Sequence, residues 1–200
     1  MRAEKGSCWP PPGRKDSSGA TAEACMQPIT ERMGRRTARL PQYDYTRTGA
    51  YFVTVCTWHR ACLFGEIVDE RVRLSPEGEV VHEEWRRTAL IRPGVELDAF
   101  IVMPNHLHGV ILLPGSDISH NRTGSRQGRA FRASGSLGSV VAGFKQAVTL
   151  RLRRLEDPIA KRVKRVWQRN YYEHVVRTEA ELSHVRRYIE ENPRRWARER

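Results

Sequence analysis

No apolar run in this 200-residue chain approaches the roughly 18 residues that a membrane-spanning helix needs; the longest, around Val110–Leu113, is the size of a strand. A spanning role is excluded on that ground, and no membrane partner is expected. Cysteine is also scarce: the four residues, Cys8, Cys25, Cys56 and Cys62, lack the density of a disulfide framework. The first fifteen residues carry Pro, Gly and Lys but no apolar segment of secretory type, so a reducing cytoplasmic compartment is expected. Cys56 and Cys62 flank His59, but their spacing fits no common zinc finger, and Cys56 reads more simply as a buried strand residue. Acidic charge is low as well. Asp and Glu number 23 against 35 Lys and Arg, giving +12 and a pI near 10.2. Such an imbalance concerns partners and solubility rather than fold, and without a membrane segment it points to nucleic acid.

What is present suffices for a domain. Hydrophobic residues make up 39% of the chain, enough to pack a core. Residues 1–36, rich in Gly, Pro, Ser and charge without periodicity, read as a flexible tail, with Met26 and Met33 as alternative starts. Residues 37–200 read as one domain. Within it, Ala50–Thr57 is β-branched and aromatic, a strand, and Glu66–Leu74 a minor hairpin. Ser75-Pro76 caps a helix carrying Val81, Trp85 and Ala89, which ends at Arg92-Pro-Gly. Leu97–Met103 and His106–Leu113 are strands joined by Pro104-Asn105. A Gly/Ser/Arg-rich loop at 114–135 precedes a second helix, capped by Ser136 and striped with Leu137, Val140, Val141, Phe144, Val148, Leu152 and Leu155. Val166–Val176 reads as a last strand, and Thr178-x-x-Glu181 is a capping box for a final helix running to about Asn192. The order β-α-β-β-α-β-α implies an α+β, ferredoxin-like sandwich, an antiparallel sheet with helices packed on one face.

The chemistry concentrates in His106-Leu107-His108. On a strand, residues i and i+2 share a face about 6–7 Å apart, so two imidazoles can converge on one ion while Leu107 enters the opposite layer. Gly109-Val110 follows where hydrolase motifs of the HxHxDH type would place an acid. Two nearby histidines taken alone serve structural roles more often than metal binding. Among the tyrosines, Tyr43, Tyr45 and Tyr51 lie in entry segments. Tyr171 and Tyr172 are adjacent on a strand, so only one can face a given layer. Tyr188 lies on the final helix with Asn192 at i+4, on the same face one turn on. By helix spacing alone, Tyr188 reads as an ordinary surface aromatic.

The surrounding motifs change that weighting. Val102-Met-Pro-Asn-His-Leu-His-Gly-Val-Ile-Leu112 resembles the metal-binding strand of HUH (His-hydrophobic-His) nucleases, in particular the single-tyrosine transposases associated with repetitive extragenic palindromes. The resemblance extends through Gly49–Thr57, Ser136–Lys145, Trp167–His174 and Tyr188-Ile-Glu-Glu-Asn-Pro193, and covers about residues 39–196 in the family's order. It implies an enzyme that cuts and rejoins single-stranded or hairpin DNA at palindromic repeats. Tyr188 would be the nucleophile, giving a 5′-phosphotyrosine, and His106, His108 and Asn192 would hold Mg²⁺ or Mn²⁺. The phosphotyrosine bond conserves energy, which accords with the absence of a P-loop. It further implies a cytoplasmic, nucleoid-associated protein; members often work as homodimers. Lys145, Arg151, Arg186, Arg187 and Arg195 are candidate DNA contacts, and His174 and His184 candidate supporting groups, with solvated charge and ordinary packing as the competing readings. Two other functions fit the same sequence: a non-catalytic DNA-binding regulator, and a metal-dependent RNA phosphodiesterase.

Overall fold

The computed structural model describes residues 47–114, 135–155 and 165–198. The N-terminal tail, most of the 114–135 loop, Tyr43 and Tyr45 lie outside them. Strand β1 (Gly49–Cys56) forms the middle of a four-stranded antiparallel sheet with β4 (Glu96–Met103), β5 (His106–Leu113) and β6 (Tyr172–Val176), in the order β4-β5-β1-β6. A hairpin of β2 (Gly65–Val68) and β3 (Arg71–Leu74) stands apart as expected. The helices are α1 (Pro76–Leu90), α2 (Leu137–Leu152) and α3 (Glu179–Arg198). The α+β antiparallel class is therefore the one the sequence implied.

Alternation along β1 and β5 divides the core in two. Tyr51, Val53 and Val55 join Leu107 and Ile111 on one face, where the apolar stripes of α1 and α2 cover them. Phe52 and Val110 point the other way, into a second cluster with Leu182, Val185, Tyr188 and Ile189 of α3. The expectation that the helices share one face thus holds for α1 and α2, while α3 takes the opposite face. The reason is that both faces of the central strands are apolar, so each needs cover. Leu107 and His108, neighbours in sequence, enter different layers.

Local rules account for the helix starts. Ser75 Oγ accepts from Gly78 N at 3.1 Å with Pro76 in the first turn, and Ser136 Oγ accepts from Ser139 N at 3.3 Å. The capping box at α3 is present in part: Thr178 Oγ1 accepts from Glu181 N, while Glu181 reaches back one residue further than the motif requires, to Arg177 N. Gly109 is required by close approach, since a Cβ there would sit 2.4 Å from the Trp85 ring.

Two boundaries differ from expectation. The last strand is shorter, because in the segment before it Lys145 Nζ donates to the carbonyls of Gln168 and Asn170, and Trp167 makes only an isolated bridge to Thr57. Helix α3 does not stop at Asn192 but passes through Pro193 to Arg198. Proline removes one backbone donor from the ladder. Burial of Pro193 and Trp196 on the stripe begun by Leu182, Val185 and Ile189 offsets that loss.

Candidate functional site

His106 and His108 reach the α3 side of β5 because they occupy the register positions opposite Cys56 and Thr54 of β1. Each is only 1% exposed. Their Nε2 atoms converge at 3.0 Å, and each Nδ1 has its own partner: Asn105 Oδ1 at 2.7 Å for His106, Thr54 Oγ1 at 2.8 Å for His108. Phe52 stacks on His108 with ring centroids 5.3 Å apart, and Trp196 lies 5.8 Å from the His106 ring.

These contacts set the proton inventory. The Asn105 amide donates through Nδ2 to the Arg60 carbonyl, so its oxygen accepts from His106 Nδ1–H. His106 Nε2 then carries a lone pair directed at His108. The Thr54 hydroxyl can serve His108 Nδ1 as donor or acceptor. As acceptor it fixes the tautomer in which both Nε2 lone pairs face the same point, the arrangement that outer partners impose on metal-ligating imidazoles. Burial pushes His108 down to about 3, and the positive charge of Arg60 adds to that. His106 is held well below the usual histidine range by burial first, then by His108 and Arg60. Both rings are neutral, as metal ligation requires.

Helix α3 brings the other two predicted residues to the same face. The Tyr188 ring packs edge-on against His108, with centroids 5.3 Å apart, and against Phe52 at 6.0 Å. Asn192 is buried one turn on, between Tyr188 and Trp196 along the same helix stripe. No cluster of three or more His, Cys, Asp or Glu suited to a metal occurs among the described residues, so the donor set suggested by this face is two imidazoles and one amide oxygen. Such a set suits Mn²⁺ as well as Mg²⁺.

The remaining expected residues divide. Arg195 sits over the Tyr188 ring, its Cζ 5.5 Å from the centroid. Arg187 is exposed on α3. Arg186 forms a bidentate pair with Asp98 of β4 and a further contact with Glu179. That guanidinium holds the Asp98 carboxyl below its usual range. Lys145 is occupied by backbone carbonyls, and Arg151 bridges Glu83 and Glu84 of α1, both on the opposite side of the sheet. His174 shares the α3 face but bonds Glu181 at 2.6 Å, and His184 is exposed. Tyr172 faces α3 and touches Phe52, whereas Tyr171 packs in the other layer. Four groups went unmarked by sequence reasoning: Thr54, Arg60, Asn105 and Trp196. Only Asn105 had a signal, its place directly before His106.

Comparisons with known proteins fit this architecture. No protein-family model matches the sequence. A Haemophilus influenzae protein described as uncharacterized is 36% identical over 167 residues, spanning 81% of this chain and 89% of its own length. The chain belongs to the same family as that protein. Among solved structures, a REP-associated tyrosine transposase bound to a REP hairpin is similar with a TM-score of 0.52 and 21% identity, over 78% of this chain and 73% of that one. The fold is thus transposase-like. A Deinococcus radiodurans protein described as a candidate transposase matches with a TM-score of 0.38 and 18% identity, over 77% of this chain and 96% of its own. No helix among the described residues is long and apolar enough to cross a membrane.

Proposed function

We propose that this protein is a metal-dependent, single-tyrosine DNA transposase acting on single-stranded or hairpin DNA at palindromic repeats. The observation that carries the reading is the convergence of the His106 and His108 Nε2 atoms at 3.0 Å beneath a buried tyrosine whose ring touches His108. Tyr188 Oη attacks the scissile phosphorus, an Oη–P bond forms, and the P–O3′ bond breaks. The phenolic proton passes to solvent and the departing 3′ oxygen takes one up, leaving a 5′-phosphotyrosine and a free 3′-hydroxyl. Attack by a 3′-hydroxyl on the phosphotyrosine reverses the exchange and rejoins a strand without external energy. Mg²⁺ or Mn²⁺ held by His106, His108 and Asn192 would supply Lewis-acid polarisation of the phosphate. Arg195 lies with its guanidinium over the Tyr188 ring. DNA is the partner, the excess of basic charge supplies the general attraction, and a second copy of the chain is proposed as the working assembly.

Tyr188→Phe removes one oxygen and keeps the ring. Wild type incubated with a labelled hairpin and Mn²⁺ should yield a protein–DNA adduct stable on denaturing gels, and Tyr188→Phe none, with melting temperature and Mn²⁺ binding retained. Tyr172→Phe, altered on the same face, should still form it. Metal-dependent cleavage without an adduct in any variant would leave a hydrolytic nuclease. Hairpin binding without cleavage would leave a regulator.

A further inference from the structure

The segment Thr57–Phe64 between β1 and β2 forms a strap across the Pro104-Asn105 turn. Thr57 N and Oγ1 both donate to the Asn105 carbonyl at 2.9 Å, Phe64 N donates to the Pro104 carbonyl at 2.9 Å, and Asn105 Nδ2 donates to the Arg60 carbonyl at 3.2 Å. At its centre His59 and Arg60 both adopt left-handed backbone conformations, with φ of 53° and 57°. Two successive non-glycine residues in that region cost on the order of 1 kcal/mol each and persist only where the surroundings hold them. Those bonds are what hold them.

The side chain delivered by this strained turn is marked by a buried guanidinium nitrogen. Arg73, Arg87, Arg151, Arg186, Arg194 and Arg195 each face a carboxylate. Arg60 has no ion pair among the described residues, and its Nη1 is buried without a hydrogen-bond partner. A guanidinium nitrogen removed from water with no partner is costly, so a structural role alone would be an expensive use of it. The main-chain carbonyl of Arg60 is held by Asn105, the residue directly before His106, which anchors the turn beside the pair. With no carboxylate facing it among the described residues, that buried nitrogen is open to an anion. The Asn105 amide holds the Arg60 carbonyl with one end and His106 Nδ1 with the other, so cation and imidazole are set by one group.

We propose that Arg60 is the phosphate-gripping cation of this site, its free guanidinium edge donating to a non-bridging oxygen of the phosphodiester that lies against the histidine pair. This deepens the transposase reading and rests on it for the identity of that phosphodiester as the scissile one. A planar guanidinium suits a phosphate through two parallel N–H donors, and donors aimed at non-bridging oxygens act most strongly where water is excluded.

The test needs binding only, so it is read independently of the covalent adduct. The probe is a labelled single-stranded oligonucleotide containing one half of a palindromic repeat, in a set with a single neutral methylphosphonate moved linkage by linkage. Wild type should show one linkage at which neutralisation weakens binding markedly. In Arg60→Gln that penalty should vanish, and the plot of log affinity against log salt should become shallower by roughly 0.7, the increment for one contact to a single strand. Arg60→Lys should restore the salt slope but only part of the linkage dependence. Mn²⁺ binding and the melting transition should stay near wild type in both variants. A wild-type slope together with the full methylphosphonate penalty in Arg60→Gln would overturn the proposal. If Arg60→Gln does not fold, Arg60→Lys decides it: an unchanged penalty at the sensitive linkage overturns the proposal equally. Absence of the adduct in wild type alongside the expected Arg60 result would break the tyrosine chemistry and leave the anion site standing.

Discussion

The two faces of the sheet are built from the same strands and differ in almost every other respect. Toward α1 and α2, Leu107 and Ile111 meet Trp85, Phe144 and Val148 in an apolar layer, and nearby charges such as Arg151 are neutralised by glutamates. Toward α3, the same strand presents two histidines, the helix adds a tyrosine and an amide, and the strap adds a cation without a counter-ion among the described residues. The first face is an apolar layer, with Trp85 Nε1 buried in it without a hydrogen-bond partner. The second gathers titratable and polar side chains around one point, the arrangement that a functional site needs.

Adjacent residues of β5 should therefore fail in opposite ways. Replacing His106 and His108 together by Ala should abolish Mn²⁺ binding in calorimetry and adduct formation, because the ion loses both imidazoles. The protein should still fold, with some loss of stability because Asn105 and Thr54 lose their ring partners, since the apolar layer under α1 and α2 is untouched. Leu107→Ala should instead cost about 2–5 kcal/mol in denaturant unfolding, as for other buried leucines that leave a cavity, while whatever protein remains folded binds Mn²⁺ normally. Equal Mn²⁺ affinity in the double histidine variant and wild type would erase the distinction between the faces.

A smaller effect is expected one step out from the ligands. Thr54→Val is close to isosteric and keeps a β-branched residue in β1, but removes the hydroxyl that bonds His108 Nδ1. Outer partners of ligating histidines contribute about 10–100-fold to metal affinity, so Mn²⁺ binding should weaken within that range with the sheet intact. Unchanged affinity would mean that the Thr54 contact serves packing alone.

Thr54 also shows where the sequence stopped being legible. The strands, the capped helices and the His-x-His pair are local patterns, and a period of two was enough to assign Leu107 and His108 to opposite sides. Which residue stands opposite His108 depends on the β1–β5 register, a relation across 54 positions that no single-chain period encodes. Arg60 was hidden for a similar reason, because its place follows from the strap's bonds to a turn more than forty residues away. The face taken by α3 was misjudged because its stripe specifies that it must bury one side, not against which face of the sheet. Helix continuation past Pro193 was missed because the local breaker outranks periodicity until Trp196 is known to be buried.

The smallest expected effects separate two neighbouring arginines of α3. Arg186 was grouped with Arg187 as a DNA contact because both are basic and adjacent. Arg186, however, spends its guanidinium on Asp98 and Glu179, whereas Arg187 has no ion pair among the described residues. Substituting Arg186 by Ala should therefore act on stability: it unties α3 from β4. Exposed pairs are worth little after screening, so the loss should be small and shrink further at high salt. Its effect on the salt dependence of oligonucleotide binding should be negligible, because the charge it removes was already neutralised. Arg187→Ala should do the reverse, leaving unfolding unchanged and reducing the salt slope by roughly 0.7 if that side chain meets one phosphate of a single strand. Parallel unfolding curves and salt titrations of the two variants check both halves. A lowered slope in Arg186→Ala would mean that DNA competes successfully with Asp98 for the guanidinium, and the satisfied charges of the sheet's edge would then have to be counted as part of the binding surface.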